Sequence, residues 1–95
     1  MKRLKTILDH TSFEYESQEI RTFYLKIGKN VKRLRQTKGI SQLELSYAIG
    51  FKSTSLIAGA EAGYNNIKFS LEHLYKISKA LHVDIKEFFD EPKST

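Results

Sequence analysis

Apolar residues recur at the period of an α-helix through most of this chain, and this spacing restricts the fold more than any other feature. Between residues 17 and 38 they stand 4, 3, 4 and 3 positions apart, which places them on one face of a helix: Ile20, Tyr24, Ile27, Val31 and Leu34. No window shows the strict alternation of a half-buried strand. The sequence therefore predicts an all-α fold.

Glycines and capping residues mark where the first two helices end and begin. Gly39 follows the first helix in the position of a left-handed C-terminal cap. Ser41 and Glu44 have the spacing of a capping box, which predicts a second helix over residues 42–49 that is closed by Gly50. Its predicted inner face is listed by helical spacing: Leu45, Ala48 and Ile49.

The second half of the chain predicts three more helices. Ser53 or Thr54 can cap a third helix that ends at Gly63. A loop over residues 64–69 follows, with two Asn suited to turn geometry, and Ser70 caps a fourth helix. Its apolar positions keep the helical period: Leu71, Leu74, Ile77, Ala80 and Leu81. The last predicted helix begins at Asp84, has Glu87 at its third position, and carries three anchors: Ile85, Phe88 and Phe89.

Chain length and composition limit the kind of protein. The 95 residues suffice for one small domain, and the lack of Cys excludes disulfides, thiolate nucleophiles and Cys-ligated metal sites. No apolar run approaches the roughly 18 to 20 residues of a membrane span. Asp9 and His10 interrupt the basic N-terminus before a signal-peptide core can form. We expect a cytoplasmic protein without membrane association.

The predicted organisation has three parts. They are an N-terminal extension over residues 1–16, a candidate flexible or basic arm; a domain over residues 17–90; and a frayed tail over residues 91–95.

Positive charge is concentrated in the first half of the chain. Residues 1–40 hold ten Lys and Arg against four acids, whereas residues 41–95 hold six against seven. Six of these bases lie within thirteen residues that contain no acid: Lys26, Lys29, Lys32, Arg33, Arg35 and Lys38. Such a run is typical either of a polyanion-binding surface or of a solvated helix face.

Residues for catalysis or for cofactor binding are not apparent. His10, His73 and His82 are far apart, and no motif has metal-ligand spacing. Gly28 and Lys29 lie within the first helical stripe rather than after a strand, which argues against a phosphate-binding loop. We expect no enzyme, no cofactor and no metal.

Several motifs in sequence order resemble the Cro/C1-type, or XRE, helix-turn-helix family of bacterial and phage transcription regulators. These are Ile27-Gly28-Lys29-Asn30-Val31-Lys32-Arg33-Leu34-Arg35, then Gly39-Ile40-Ser41-Gln42-Leu43-Glu44-Leu45, then Ile57 with Glu61-Ala62-Gly63, then Leu71-Glu72-His73-Leu74 and Leu81. The resemblance covers about residues 27–89. It implies a five-helix, lambda-repressor-like DNA-binding domain whose third helix enters the major groove.

The resemblance also implies roles for single residues. Arg35 and Glu61 match a structural ion pair between the first and third helices, and Gln42 matches a phosphate contact. The expected DNA-binding set comprises Gln42, Lys52, Ser53, Thr54, Ser55, Ala58, Gly59, Tyr64, Asn65, Asn66 and Lys68.

The third helix differs from a usual recognition helix because its body contains no Arg, Gln or Asn, the side chains that make bidentate base contacts. Four sources of discrimination stay open. They are methyl contacts of Thr54 and Ala58 with thymine, backbone approach at Gly59, Lys52 from the preceding turn, and DNA shape. The turn between the second and third helices holds one residue more than is usual in the family, so its register stays open as well.

The predicted function is a sequence-specific double-stranded DNA-binding transcriptional regulator, a dimeric repressor or a protein like restriction-modification controllers. We expect a homodimer because one small domain buries little DNA surface. The candidate interface aromatics are Phe13, Tyr15, Phe23, Phe88 and Phe89. For each of them core filling is favoured over an interface role, because small bundles need such anchors. The alternative function is a protein-interaction module, such as the antitoxin of a toxin-antitoxin pair, with a protein partner.

Overall fold

The computed structural model describes residues 10–91, with side chains from residue 17 onward. Of the predicted extension over residues 1–16, residues 1–9 lie outside the described part, as do the side chains of Phe13 and Tyr15. Of the predicted tail, residues 92–95 lie outside it.

Residues 10–91 form four α-helices and two 3-10 helices, which confirms the all-α prediction. The α-helices are α1 His10–Thr37, α2 Gln42–Ala48, α3 Ser55–Ala62 and α4 Leu71–Leu81. The 3-10 helices span Tyr64–Asn66 and Ile85–Phe89, and the second of these takes the place of the predicted fifth helix.

Helix α1 is longer than its apolar stripe predicted. It begins at His10, not near residue 17, because the intervening residues include no Gly or Pro that would stop it. Ile27 and Val31 are buried in the core, but Ile20 is 47% exposed. The first part of the stripe therefore extends past the domain body, which corrects the assignment of Ile20 to the core face.

Helices α1 and α3 pack backbone to backbone at Gly28. Gly28 is buried there, and a Cβ atom at this position would collide with the carbonyl oxygen of Ala60. Glycine is required because the two backbones meet without room for a side chain. This contact fixes the distance at which α3 is held against the rest of the domain.

Two predicted inner positions are exposed. Ala48 faces solvent, and Ser46 is buried in its place, with its hydroxyl donating to the Gln42 carbonyl at 2.8 Å. A small hydroxyl that bonds its own helix can be buried at low cost. Leu71 is 71% exposed because it occupies the first turn of α4, at the solvent end of the helix. Both residues had been predicted to face inward.

The C-terminal segment is held against α1 by a buried amide. Asn30 donates from Nδ2 to the carbonyls of Phe88 at 2.9 Å and Asp90 at 2.7 Å. Phe88 is completely buried. The prediction of Phe88 as a dimer-interface candidate is therefore wrong, because its ring is already enclosed by the core of its own chain.

The caps of the second half are local and agree with the sequence. Asp84 and Glu87 form the predicted capping box of the second 3-10 helix. Ser70 caps α4, but the acceptor for its own amide is Nδ1 of His73, at 3.0 Å.

Within residues 10–91, no helix is both long and apolar enough to cross a membrane.

Candidate nucleic-acid interface

Helix α2 starts at a fully formed capping box. The Ser41 hydroxyl accepts from the Glu44 amide at 2.9 Å, and the Glu44 carboxylate accepts from the Ser41 amide at 2.8 Å. The hydrogen bond that the carboxylate accepts from the Ser41 backbone, followed by an interaction with the Ser41 side chain, holds the pKa of Glu44 below its ordinary value. The cap fixes where α2 begins, and with it the position of Gln42.

A buried ion pair joins the end of α1 to the end of α3. Arg35 and Glu61, for which the family resemblance implies such a pair, form a bidentate contact with Nε–Oε2 at 2.7 Å and Nη2–Oε1 at 3.0 Å. Arg35 also donates from Nη1 to the Ile40 carbonyl at 2.7 Å. Both charged groups are almost fully enclosed, so the pair fixes α3 relative to the turn that precedes α2.

Gln42 belongs to this network. Its Nε2 donates to Oε1 of Glu61 at 3.1 Å, and the residue is half-buried. The side-chain amide therefore has a partner within the protein. A phosphate contact by Gln42 stays a prediction.

Helix α3 has one buried face and one open face. Ile57, Ala60 and Glu61 are buried, whereas Ser55 and Ala62 are exposed and Ala58 is half-buried. The open side is therefore formed by small residues, as the sequence indicated.

The start of α3 has a weak cap. Thr54 is the N-cap residue by position, but its side chain makes no capping hydrogen bond. The Ser53 hydroxyl accepts from the Ser55 amide at a long 3.4 Å and lies 3.3 Å from the Ser55 hydroxyl. Of the two predicted caps, Ser53 has the capping contact. The half-buried Thr54 is left without a capping role, and Lys52 before it is exposed.

Backbone approach at Gly59, one of the four open sources of discrimination, stays a prediction, and a loop side chain covers part of this glycine. It is buried, and a Cβ atom there would lie 2.5 Å from Cδ1 of Ile67. The side chain of Ile67 reaches over the glycine from the following loop. Sequence reasoning missed Ile67, since nothing in the order of residues indicates that a loop side chain covers the glycine of α3.

The loop after α3 turns sharply at two asparagines. Asn65 and Asn66 adopt positive φ angles of 55° and 62°, which their short polar side chains tolerate. Tyr64 is 68% exposed. Lys68 is exposed, and its Nζ lies 5.0 Å from the centroid of the Tyr24 ring on α1. This contact joins the loop to α1, the helix that carries the run of basic residues.

The predicted site residues of α3 and of the loop come together around one groove. It has a volume of about 450 Å³ and is lined by Ser55, Ala58, Gly59, Ala62, Tyr64 and Ile67. Of these, Ala62 and Ile67 were absent from the predicted set. Lys52, Ser53, Thr54, Asn65, Asn66 and Lys68 are not among its lining residues.

Comparisons with known proteins agree with this arrangement. A helix-turn-helix family model matches residues 31–88. The crystal structure of the restriction-modification controller protein C.AhdI from Aeromonas hydrophila is similar, with a TM-score of 0.62 and 32% sequence identity over 70% of this chain and 96% of that chain. No curated protein matches the chain.

These similarities support a DNA-binding regulator and do not favour the alternative of an antitoxin-like interaction module. The family model covers more than half of the chain, and α2, α3 and the buried Arg35–Glu61 ion pair all lie within the matched residues. The chain belongs to the Cro/C1-type helix-turn-helix family of DNA-binding regulators.

Proposed function

We propose that this protein is a sequence-specific regulator of transcription that binds double-stranded DNA as a homodimer, with α3 as its recognition helix. The observation that carries the proposal is that α3 is buried on one face only. One face is fixed to the core through Ile57, Ala60 and Glu61, while the opposite face is open. A rigidly held helix with a free face is what major-groove entry requires.

Polar groups at both ends of α3 can contact the DNA backbone. Lys52 precedes the helix and Lys68 follows it, and both are exposed. The hydroxyls of Ser53, Thr54 and Ser55 lie at its start, where amides without a strong cap also attract phosphate. At the other end, Tyr64, Asn65 and Asn66 are exposed.

The small area that one domain can bury on DNA argues for a dimer. One domain of this kind buries about 600–1,000 Å² on DNA, which is small for a specific complex. Two copies related by a two-fold axis read half-sites about 34 Å apart. By its similarity to C.AhdI, we propose a controller-like role in which the dimer regulates transcription.

The salt dependence of binding tests this function. We expect the logarithm of the association constant for duplex DNA, measured by fluorescence anisotropy, to fall linearly with the logarithm of salt concentration, because phosphate contacts release counterions. Lys52→Ala and Lys68→Ala should each reduce the slope by about one.

Lys86→Ala is the matched control, since Lys86 is also exposed but belongs to the second 3-10 helix, outside the proposed interface. Its slope should equal that of the unmodified protein. Binding that does not change with salt, or no binding to duplex DNA at all, would contradict the proposed function.

A further inference from the structure

The groove beside α3 is an apolar surface on the face that the proposed function presents to DNA. It lies between the helix and the loop over residues 63–68, and its volume is about 450 Å³. Three small side chains of the helix form one wall, Ser55, Ala58 and Ala62, while Tyr64 and Ile67 form the other. No charged side chain lines it.

Ile67 occupies the space in which a side chain of the recognition helix would otherwise stand. At Gly59 the helix has no side chain, and an ideal Cβ atom there would meet Cδ1, Cβ and Cγ2 of Ile67 at 2.5, 3.1 and 3.2 Å. Ile67 is only half-buried, so part of its side chain remains at the surface of the groove. The base-facing surface is therefore formed by the helix and the loop together, with an aliphatic group at its centre.

The chemistry of this surface selects among base edges. In the major groove, guanine presents two acceptors, adenine an acceptor and a donor, and cytosine a donor. Thymine presents an acceptor and the one apolar group, its C5 methyl. Polar edges placed against Ile67 and Ala58 would lose their hydrogen bonds to water without replacement, which costs free energy. A methyl group placed there is stabilised by burial.

We propose that this groove reads thymine methyl groups, and that Ile67 is a specificity-determining residue that contacts them. The inference rests on the proposed function, because it requires α3 to enter the major groove. Two exposed cations flank the groove residues in sequence, Lys52 before them and Lys68 after them. Such a surface suits duplex DNA, in which the thymine methyl groups lie between two phosphate backbones.

Removing the methyl group alone tests the proposal with the unmodified protein. Sites are first selected from a random duplex library, and the preferred duplex is then synthesised with single thymines replaced by deoxyuridine. This change deletes one methyl and leaves every hydrogen-bonding group in place. We expect at least one substitution in each half-site to weaken binding by about fourfold, the value that corresponds to one buried methylene-sized group.

A matched pair of variants assigns the effect to Ile67. Ile67→Val and Ile67→Thr have nearly the same shape, but Thr places a hydroxyl at the groove surface. The deoxyuridine penalty should persist in Ile67→Val and shrink in Ile67→Thr. Thermal unfolding of both variants checks that the domain remains folded.

The outcomes separate this inference from the proposed function. Salt-dependent binding with equal affinity for thymine and deoxyuridine duplexes would overturn the inference and leave the proposed function intact. Selection that enriches only G·C pairs at each position would also overturn the inference alone. Selection that enriches no common sequence would overturn both the inference and the sequence specificity of the proposed function. Absence of any salt-dependent binding to duplex DNA would overturn both.

Discussion

At the scale of single residues, Glu61 has the largest expected effect on stability. Its carboxylate is buried and accepts from Arg35 and Gln42. In Glu61→Ala, the Arg35 guanidinium stays buried without its counter-ion, which typically costs about 3–5 kcal/mol. That is a large part of the stability of a small domain. Urea unfolding should show the loss, and DNA binding should fail because the domain unfolds.

Glu72→Ala is the control for this prediction. Glu72 pairs with Lys76 at 3.0 Å, but its side chain is 74% exposed. Ion pairs in this setting contribute little because solvent screens them. A loss of stability in Glu61→Ala no greater than that in Glu72→Ala would show that the buried pair does not anchor α3.

At the scale of elements, the start of α4 should depend on pH. Nδ1 of His73 accepts from the Ser70 amide at 3.0 Å, and the ring packs edge-on against Phe51 and Phe69. Burial lowers the pKa of His73 below its ordinary value of 6.5. The neutral form therefore stabilises the fold above pH 6.5, and this contribution is lost as the pH falls through the lowered pKa, since a protonated ring cannot accept.

His73→Gln isolates this effect because Gln at the third helical position keeps an acceptor for the cap but does not titrate. We expect the melting temperature of the unmodified protein to fall more between pH 7.5 and pH 5 than that of the variant. The remaining titrating groups are the same in both proteins. Parallel pH profiles would mean that His73 protonation does not weaken the cap.

At the scale of the whole molecule, the first part of α1 is the surface at which we expect two copies to meet. Ile20 is 47% and Phe23 44% exposed, and Phe23 stacks on Phe89 at a centroid distance of 6.1 Å. With Phe88 inside the core, Phe23 and Phe89 are the remaining predicted interface candidates whose side chains the structure describes, and Ile20 lies one helical turn before Phe23. Replacing both Ile20 and Phe23 by Ser should convert a dimer into a monomer in sedimentation velocity experiments.

Tyr75→Ser is the control for that double substitution, because it removes an aromatic ring that is 57% exposed on a different helix, α4. This variant should sediment like the unmodified protein. A dimer that survives the double substitution would place the interface elsewhere on the molecule.

The parts of the fold that the sequence predicted well depend on neighbours within a few positions. The capping boxes of Ser41 and of Asp84 need only one residue three positions further on, and both are present as predicted. Gly39 and Gly63 adopt the positive φ angles, 70° and 69°, expected after a helix end. Local hydrogen-bonding chemistry is sufficient to specify such features.

The errors concern faces and lengths. Periodicity placed Ala48 and Leu71 inward and started the long helix too late, because a period gives the direction of a side chain but not the extent of the body that would cover it. In the same way, the sequence contained both Gly59 and Ile67 without any indication that one covers the other.

The sequence by itself determined that the chain is helical and where most helices are capped, because capping and helical period are set by residues within one or two turns. Its motifs, in their order along the chain, also carried the resemblance to the helix-turn-helix family. Only the tertiary structure decided which face of α3 is open, that Phe88 is enclosed by the core, and that Ile67 covers Gly59 of α3. Those outcomes depend on contacts between segments far apart along the chain, such as the packing of α1 against α3 at Gly28. Their free energy arises from the three-dimensional fit of the surfaces, which the order of residues does not display.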